Sequence, residues 1–182
     1  MNKRETILKT AAHLFSQHGY HAVGVDRIIE ESGVAKTTMY RYFPSKEALI
    51  VEVLRERDKA CADSLGSFVA EGTNALERVK RVFEWHENWF SSADFTGCMF
   101  AHAAAEFFEK DSPIVRLTAQ QKRSLTLFIE NQIKGLVSAR EAKRLARAFV
   151  MLLDGATLNA QVLKKKGVAM EAWESARLLL PS

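Results

Sequence analysis

The sequence predicts an all-α protein in two helical domains, residues 1–62 and 63–182, and three observations carry that expectation. Apolar residues recur at spacings of three and four, the period of helices that bury one face, as in Ile7, Ala11, Leu14 and Phe15. The two-residue alternation of a half-buried strand is absent. Helix punctuation recurs along the chain: Gly19, Gly33 and Gly167 follow apolar stretches, Pro44 and Pro181 end them, and Ser112-Pro113 and Ser138-x-x-Glu141 open them.

The N-terminal elements follow in order. The stripe from Lys3 to His18 predicts a first helix, closed by Gly19, that packs across the next two. Ile28 and Ile29 mark a short second helix, with Asp26 in its first turn, where negative charge suits the helix dipole. Gly33 ends it, because glycine enters the left-handed C-cap conformation without a Cβ penalty. A third helix begins at Ala35 or Lys36 and stops before Pro44, since the residue preceding a proline resists helical geometry. Met39 and Phe43, four apart, form its inner seat. Two short helices across a tight glycine turn make a helix-turn-helix, whose second helix enters the major groove of DNA. On that helix Lys36, Thr37, Thr38, Tyr40, Arg41 and Tyr42 all carry hydrogen-bond donors for phosphates or base edges.

The run GVAKTTMYRYFPSKEAL resembles the signature of the TetR-type bacterial transcriptional regulators: glycine-valine-small, then Tyr-x-x-Phe, then Ser-Lys-Glu-x-Leu. The resemblance is dense from Glu5 to Val53 and thin beyond. Two positions depart from it. Gly24 and Ala35 stand where the family often places a hydroxyl N-cap, and alanine caps worse by roughly 1 kcal/mol, so the third helix is expected to fray until DNA orders it. The resemblance implies base contacts from Lys36 and Thr37, and phosphate contacts from Thr38, Tyr40, Tyr42 and Lys46. It also implies a repressor of a palindromic, double-stranded operator, released when a small effector binds the second domain. The partners expected are therefore operator DNA, a second copy of the chain and an unidentified small molecule.

After Pro44, Ser45 is the expected N-cap and Glu47 the first-turn acid of a long helix to about Val69, with Leu49, Val53 and Ala60 inward. Gly72, Thr73 and Asn74 mark a loop, and a fifth helix covers Ala75 to Phe90. Another starts after Gly97 in GCMFAHAAAEF. Ser112-Pro113 opens a helix to about Gly135, and a capping box at Ser138 and Glu141 opens the next. That helix ends in Lys164, Lys165, Lys166 and Gly167, cations and a glycine suited to a C-terminus. The last helix runs from about Ala169 to Leu180. The final pair has wide apolar faces, and the resemblance implies that they form a homodimer interface, with Phe149, Leu153, Ala156 and Trp173 as anchors.

Between Phe83 and Phe108 lie eight of the seventeen aromatic residues, enough to line either a core or an apolar ligand cavity. The effector residues expected are Trp85, His86, Trp89, Phe90, Cys98, Met99, His102 and Phe107, binding a small apolar or aromatic molecule. A second route to the same response is modification of Cys98 by a thiol-reactive agent, favoured by its place at a helix start.

Composition excludes other classes. Cys98, His102 and Glu106 share a helix face, but their span of about 12 Å keeps one helix from wrapping a metal with them. Cys-x-x-Cys, His-Glu-x-x-His and Glu-x-x-His are absent, so no metal, cofactor or enzymatic activity is expected. The alternatives are a helical enzyme that keeps a vestigial helix-turn-helix, and an adaptor that uses the first domain for protein contacts. The net charge is +4, and through Lys46 seven basic residues stand against four acidic, so the excess lies where DNA should bind. No apolar run approaches the roughly 20 residues that span a bilayer, and no signal peptide is visible; a cytoplasmic protein is expected.

Overall fold

The structure, a computed structural model, describes residues 2–181. The described residues form nine α-helices and no strand: α1 (Lys3–His18), α2 (Val25–Ser32), α3 (Lys36–Tyr42), α4 (Lys46–Ala70), α5 (Ala75–Phe90), α6 (Met99–Glu106), α7 (Pro113–Ile133), α8 (Ala139–Leu163) and α9 (Val168–Arg177).

Local chemistry sets most of these ends. Asn2 caps α1 in a full capping box with Glu5. Ser45 Oγ accepts from the Ala48 amide at the start of α4, and Asn74 caps α5 through the Glu77 amide. Gly33 closes α2 in the left-handed conformation at φ 65°. Ala35 gives α3 no side-chain cap, as its missing hydroxyl dictates. The expected capping box of α8 is half made. Ser138 accepts from the Glu141 amide at 3.3 Å, while the Glu141 carboxylate turns to Arg144.

The helices gather into two compact units, Met1–Ala60 with Cys98–Gln121, and Cys61–Gly97 with Lys122–Ser182. A division at residue 62 follows chain order, whereas here α6 and the first part of α7 return to the N-terminal unit. The reason is burial: Met99, Phe100, Ala103 and Ile114 complete the core formed by Ile7, Leu14, Phe15, Tyr20, Ile28, Met39, Phe43 and Leu54. In the second unit α5, α8 and α9 pack together around Phe83, Leu145, Phe149 and Trp173. The Phe83 ring meets Phe149 edge-on at 5.8 Å and Trp173 at 5.5 Å, geometries that suit aromatic quadrupoles.

Candidate DNA-binding face and effector region

α3 is seated by the residues that its sequence spacing selects. Met39 and Phe43 are fully buried against α1 and α2, so the opposite side of a seven-residue helix faces solvent. Lys36, Thr37, Tyr40, Arg41 and Tyr42 are exposed there. Thr38, beside Met39, is buried at 9% exposure. The Arg41 guanidinium lies over the Tyr42 ring, 5.1 Å from its centre, which holds both side chains on the surface.

Two lysines of this face are held by partners that sequence spacing does not reveal. Lys36 Nζ donates to Asp26 Oδ1 at 3.0 Å, and that hydrogen bond keeps the ammonium above the ordinary lysine range. Lys46, half-buried at the start of α4, donates to the His21 carbonyl at 3.4 Å, and desolvation pulls its pKa down. Beside it, the turn after α1 is tied to the end of α6. Glu106 accepts from the Tyr20 amide at 2.9 Å and the His21 amide at 2.6 Å, while Tyr20 Oη donates to the Met99 carbonyl at 2.9 Å. Gly19, at φ 81°, admits this approach; a Cβ there would stand 2.8 Å from Glu106 Oε1. The Phe107 ring closes the turn, 4.7 Å from His21 and 5.9 Å from Tyr20. The sequence marks Glu106 only as the third of three polar residues on one helix face, and no local signal links it to a turn 86 residues away. An open cleft of about 520 Å³ lies alongside, lined by His21, Lys46, Ile50, Glu106, Phe107 and Phe108 among others.

Residues 7–53, the span of α1 to the first part of α4, match the model of the bacterial regulatory proteins of the tetR family. Residues 7–53 are thus a TetR-family N-terminal domain. Among its relatives, the HTH-type transcriptional regulator LmrA of Bacillus subtilis is 26% identical over 166 residues, 90% of this chain and 88% of LmrA. The HTH-type transcriptional regulator RutR of Escherichia coli is 48% identical over 54 residues, 30% of this chain and 26% of RutR. Among solved structures, a TetR-family transcriptional regulator from Streptomyces coelicolor superposes with a TM-score of 0.92 at 25% identity, covering 97% of this chain and 93% of that one. With this domain and these relatives along its length, the chain is a helix-turn-helix transcriptional regulator, and the similarities point to no enzyme family.

The residues expected to hold an effector divide between the two units. Trp85, His86, Trp89 and Phe90 lie on α5 in the second unit. Their rings form one cluster, with His86 5.0 Å from Trp85 and 6.1 Å from both Trp89 and Phe90. His86 is buried, and its Nδ1 lies 2.7 Å from the Val82 carbonyl, which can only accept, so Nδ1 carries the proton. Burial pushes its pKa down to about 4. The ring is therefore neutral near pH 7, with Nε2 as an acceptor. Cys98, Met99, His102 and Phe107 belong to the first unit instead. Cys98 is the half-buried N-cap residue of α6, Met99 receives the Tyr20 hydroxyl on its carbonyl, and Phe107 packs on the turn after α1.

The four expected dimer anchors are core residues of their own unit. Phe149, Leu153, Ala156 and Trp173 are 0 to 8% exposed, so they offer no surface to a second copy without rearrangement. The apolar residues that α8 leaves exposed are Met151, Leu158, Val162 and Leu163, joined by Leu178 and Leu179 just beyond α9. Among the described residues no group of three or more His, Cys, Asp or Glu side chains is placed to hold a metal ion. None of the described helices is long and apolar enough to cross a membrane.

Proposed function

We propose that this TetR-family regulator is a homodimeric repressor that reads a palindromic operator with α3 and leaves it when a small apolar or aromatic effector binds. The observation that carries the reading is the two-sided α3, with Met39 and Phe43 locked in the core and Lys36, Thr37, Tyr40, Arg41 and Tyr42 presented on one exposed side. Lys36 and Thr37, at the N-terminal turn, reach base edges, and Tyr40, Tyr42 and Lys46 hold phosphates. Good base contacts discriminate by roughly 1–3 kcal/mol, while phosphate contacts act on every duplex alike. Lys36→Ala should therefore relax operator preference, and Tyr40→Phe or Lys46→Ala should weaken all duplexes similarly. Binding titrations on operator and scrambled duplexes test this. The assignment fails when Lys46→Ala changes the preferred sequence and Lys36→Ala does not.

The dimer in this reading uses the exposed stripe of α8. Met151, Leu158 and Val162 stand at i, i+7 and i+11, an apolar seam on a helix face that already satisfies its other side internally. The effector in this reading sits among the α5 aromatics, where His86 Nε2 accepts from a donor on the ligand. Within the second unit α5 is bonded to α4: Trp85 Nε1 donates to Ser64 Oγ at 3.0 Å, and Arg81 Nε donates to the Phe68 carbonyl at 2.7 Å. α4 begins three residues after Phe43, so a ligand that displaces it changes how α3 is presented. The effector must bind the DNA-incompetent arrangement more tightly, or it shifts nothing. A thiol-reactive agent on Cys98 is the covalent form of the same switch. Cys98→Ser separates the two, abolishing a response to oxidants and sparing one to reversible ligands.

A further inference from the structure

We propose that Asp26 is a specificity-determining residue of the DNA face, holding the Lys36 ammonium in place and penalising any duplex that offers its carboxylate no hydrogen-bond donor. This rests on the reading of Lys36 as a base-contacting residue, and extends the recognition unit from α3 to the first turn of α2. Ten residues apart in sequence, Asp26 Oδ1 and Lys36 Nζ stand 3.0 Å apart, with side chains 85% and 63% exposed. An ion pair so open to solvent adds little to folding stability, so stability does not account for it. The other acid paired across this surface, Glu31, is taken by Arg27 at 2.8 Å on its own helix.

A lysine on the first residue of α3 sits at the positive end of the helix dipole, and Ala35 supplies no capping oxygen. The Asp26 carboxylate offsets the first of these by neutralising the Lys36 charge while the protein is free. On DNA the same carboxylate is brought with Lys36 toward the major groove, between two rows of phosphates. There it subtracts from the electrostatic attraction that dominates non-specific binding. At a matching site Lys36 turns to guanine O6 and N7, and the released carboxylate accepts from the N4 amino group of a cytosine. Where the groove presents only acceptors, such as thymine O4, the carboxylate finds repulsion and no donor. Lys36 and Asp26 therefore read as one unit, and the operator should carry a G·C pair for each of them.

The test selects from a randomised duplex library with the 182-residue protein and its Asp26→Ala, Asp26→Asn and Lys36→Ala variants. Affinities for the enriched duplex and a scrambled duplex are then measured across salt concentrations. For Asp26→Ala the enriched-to-scrambled ratio should fall about tenfold, with tighter scrambled binding and loss of one G·C position from the enriched motif. The salt dependence should steepen by about one unit, because one more phosphate contact is left uncancelled. If Lys36→Ala leaves the motif unchanged, the reading of α3 fails and this proposal with it. If Lys36→Ala alters the motif while both Asp26 variants keep the wild-type motif and ratio, that reading stands and the role of Asp26 is refuted. Equal weakening of both duplexes by both Asp26 variants also overturns it, since a structural role does that. Should Asp26→Ala fold poorly, Asp26→Asn, which keeps the shape and removes the charge, decides.

Discussion

Burial of His86 makes stability depend on pH in a calculable way, and His86→Phe removes that dependence. The imidazole titrates at about 4 in the folded protein, against about 6.5 in an unfolded chain. Between those values the unfolded state binds the extra proton, so stability rises with pH through this window. The contribution is fully present above about pH 6.5 and lost as pH falls toward 4. A shift of this size corresponds to about 3 kcal/mol in all, of which about 2 kcal/mol is gone by pH 5. The physical cause is that a charged imidazolium would have to form inside the Trp85, Trp89 and Phe90 cluster, away from water; the Nδ1–H bond to the Val82 carbonyl favours the charged form and only partly offsets this. Urea unfolding followed by tryptophan fluorescence, at pH 7.5 and pH 5, measures the effect in both proteins. Carboxylates common to the two cancel in the difference. Wild type minus His86→Phe should fall by about 2 kcal/mol between these pH values. A difference constant to within about 0.5 kcal/mol would refute the claim that burial holds His86 neutral.

The tie between α6 and the turn after α1 gives a second expectation. Glu106→Ala leaves the Tyr20 and His21 amides without their carboxylate partner and should destabilise the protein by about 1.5–3 kcal/mol, read as a lowered urea midpoint and faster amide exchange at both residues. An unchanged midpoint and unchanged exchange would show that water replaces Glu106 at no cost. At the dimer seam, Leu158→Arg places a charge on an exposed position of α8 and should yield folded monomers on a sizing column, with operator binding lost. Ala156→Arg, at a buried position, should lower the melting temperature instead, and a normally folded Ala156→Arg monomer would return the interface to that face. Supplying the missing cap through Ala35→Ser should stabilise α3 by about 0.5–1 kcal/mol, seen as slower amide exchange at Thr37 and Thr38; an unaltered exchange rate would show that the helix start is ordered by other means.

What the sequence by itself determined was local. Helix ends at Gly33, Ser45 and Ser138 depend on one residue and the three or four that follow it, so they are legible without a fold. The same holds for the inner side of α3, because Met39 and Phe43 leave a short helix only one way to bury itself. The GVAKTTMYRYF run carried the family for the same reason. Tertiary structure decided everything that depends on distant partners. Glu106 reaches the turn at Tyr20 and His21, Lys36 finds Asp26 across the glycine turn, and α6 returns to the first unit because the core around Tyr20 needs Met99 and Phe100. On α8 the periodicity is ambiguous by nature. Phe149, Leu153 and Ala156 make one apolar face and Met151, Leu158 and Val162 another, and both satisfy helical spacing equally well. Which face becomes core is set by Phe83, which meets Phe149 edge-on, and by Trp173, which packs on Phe83, and these are supplied only when α5 and α9 close over α8.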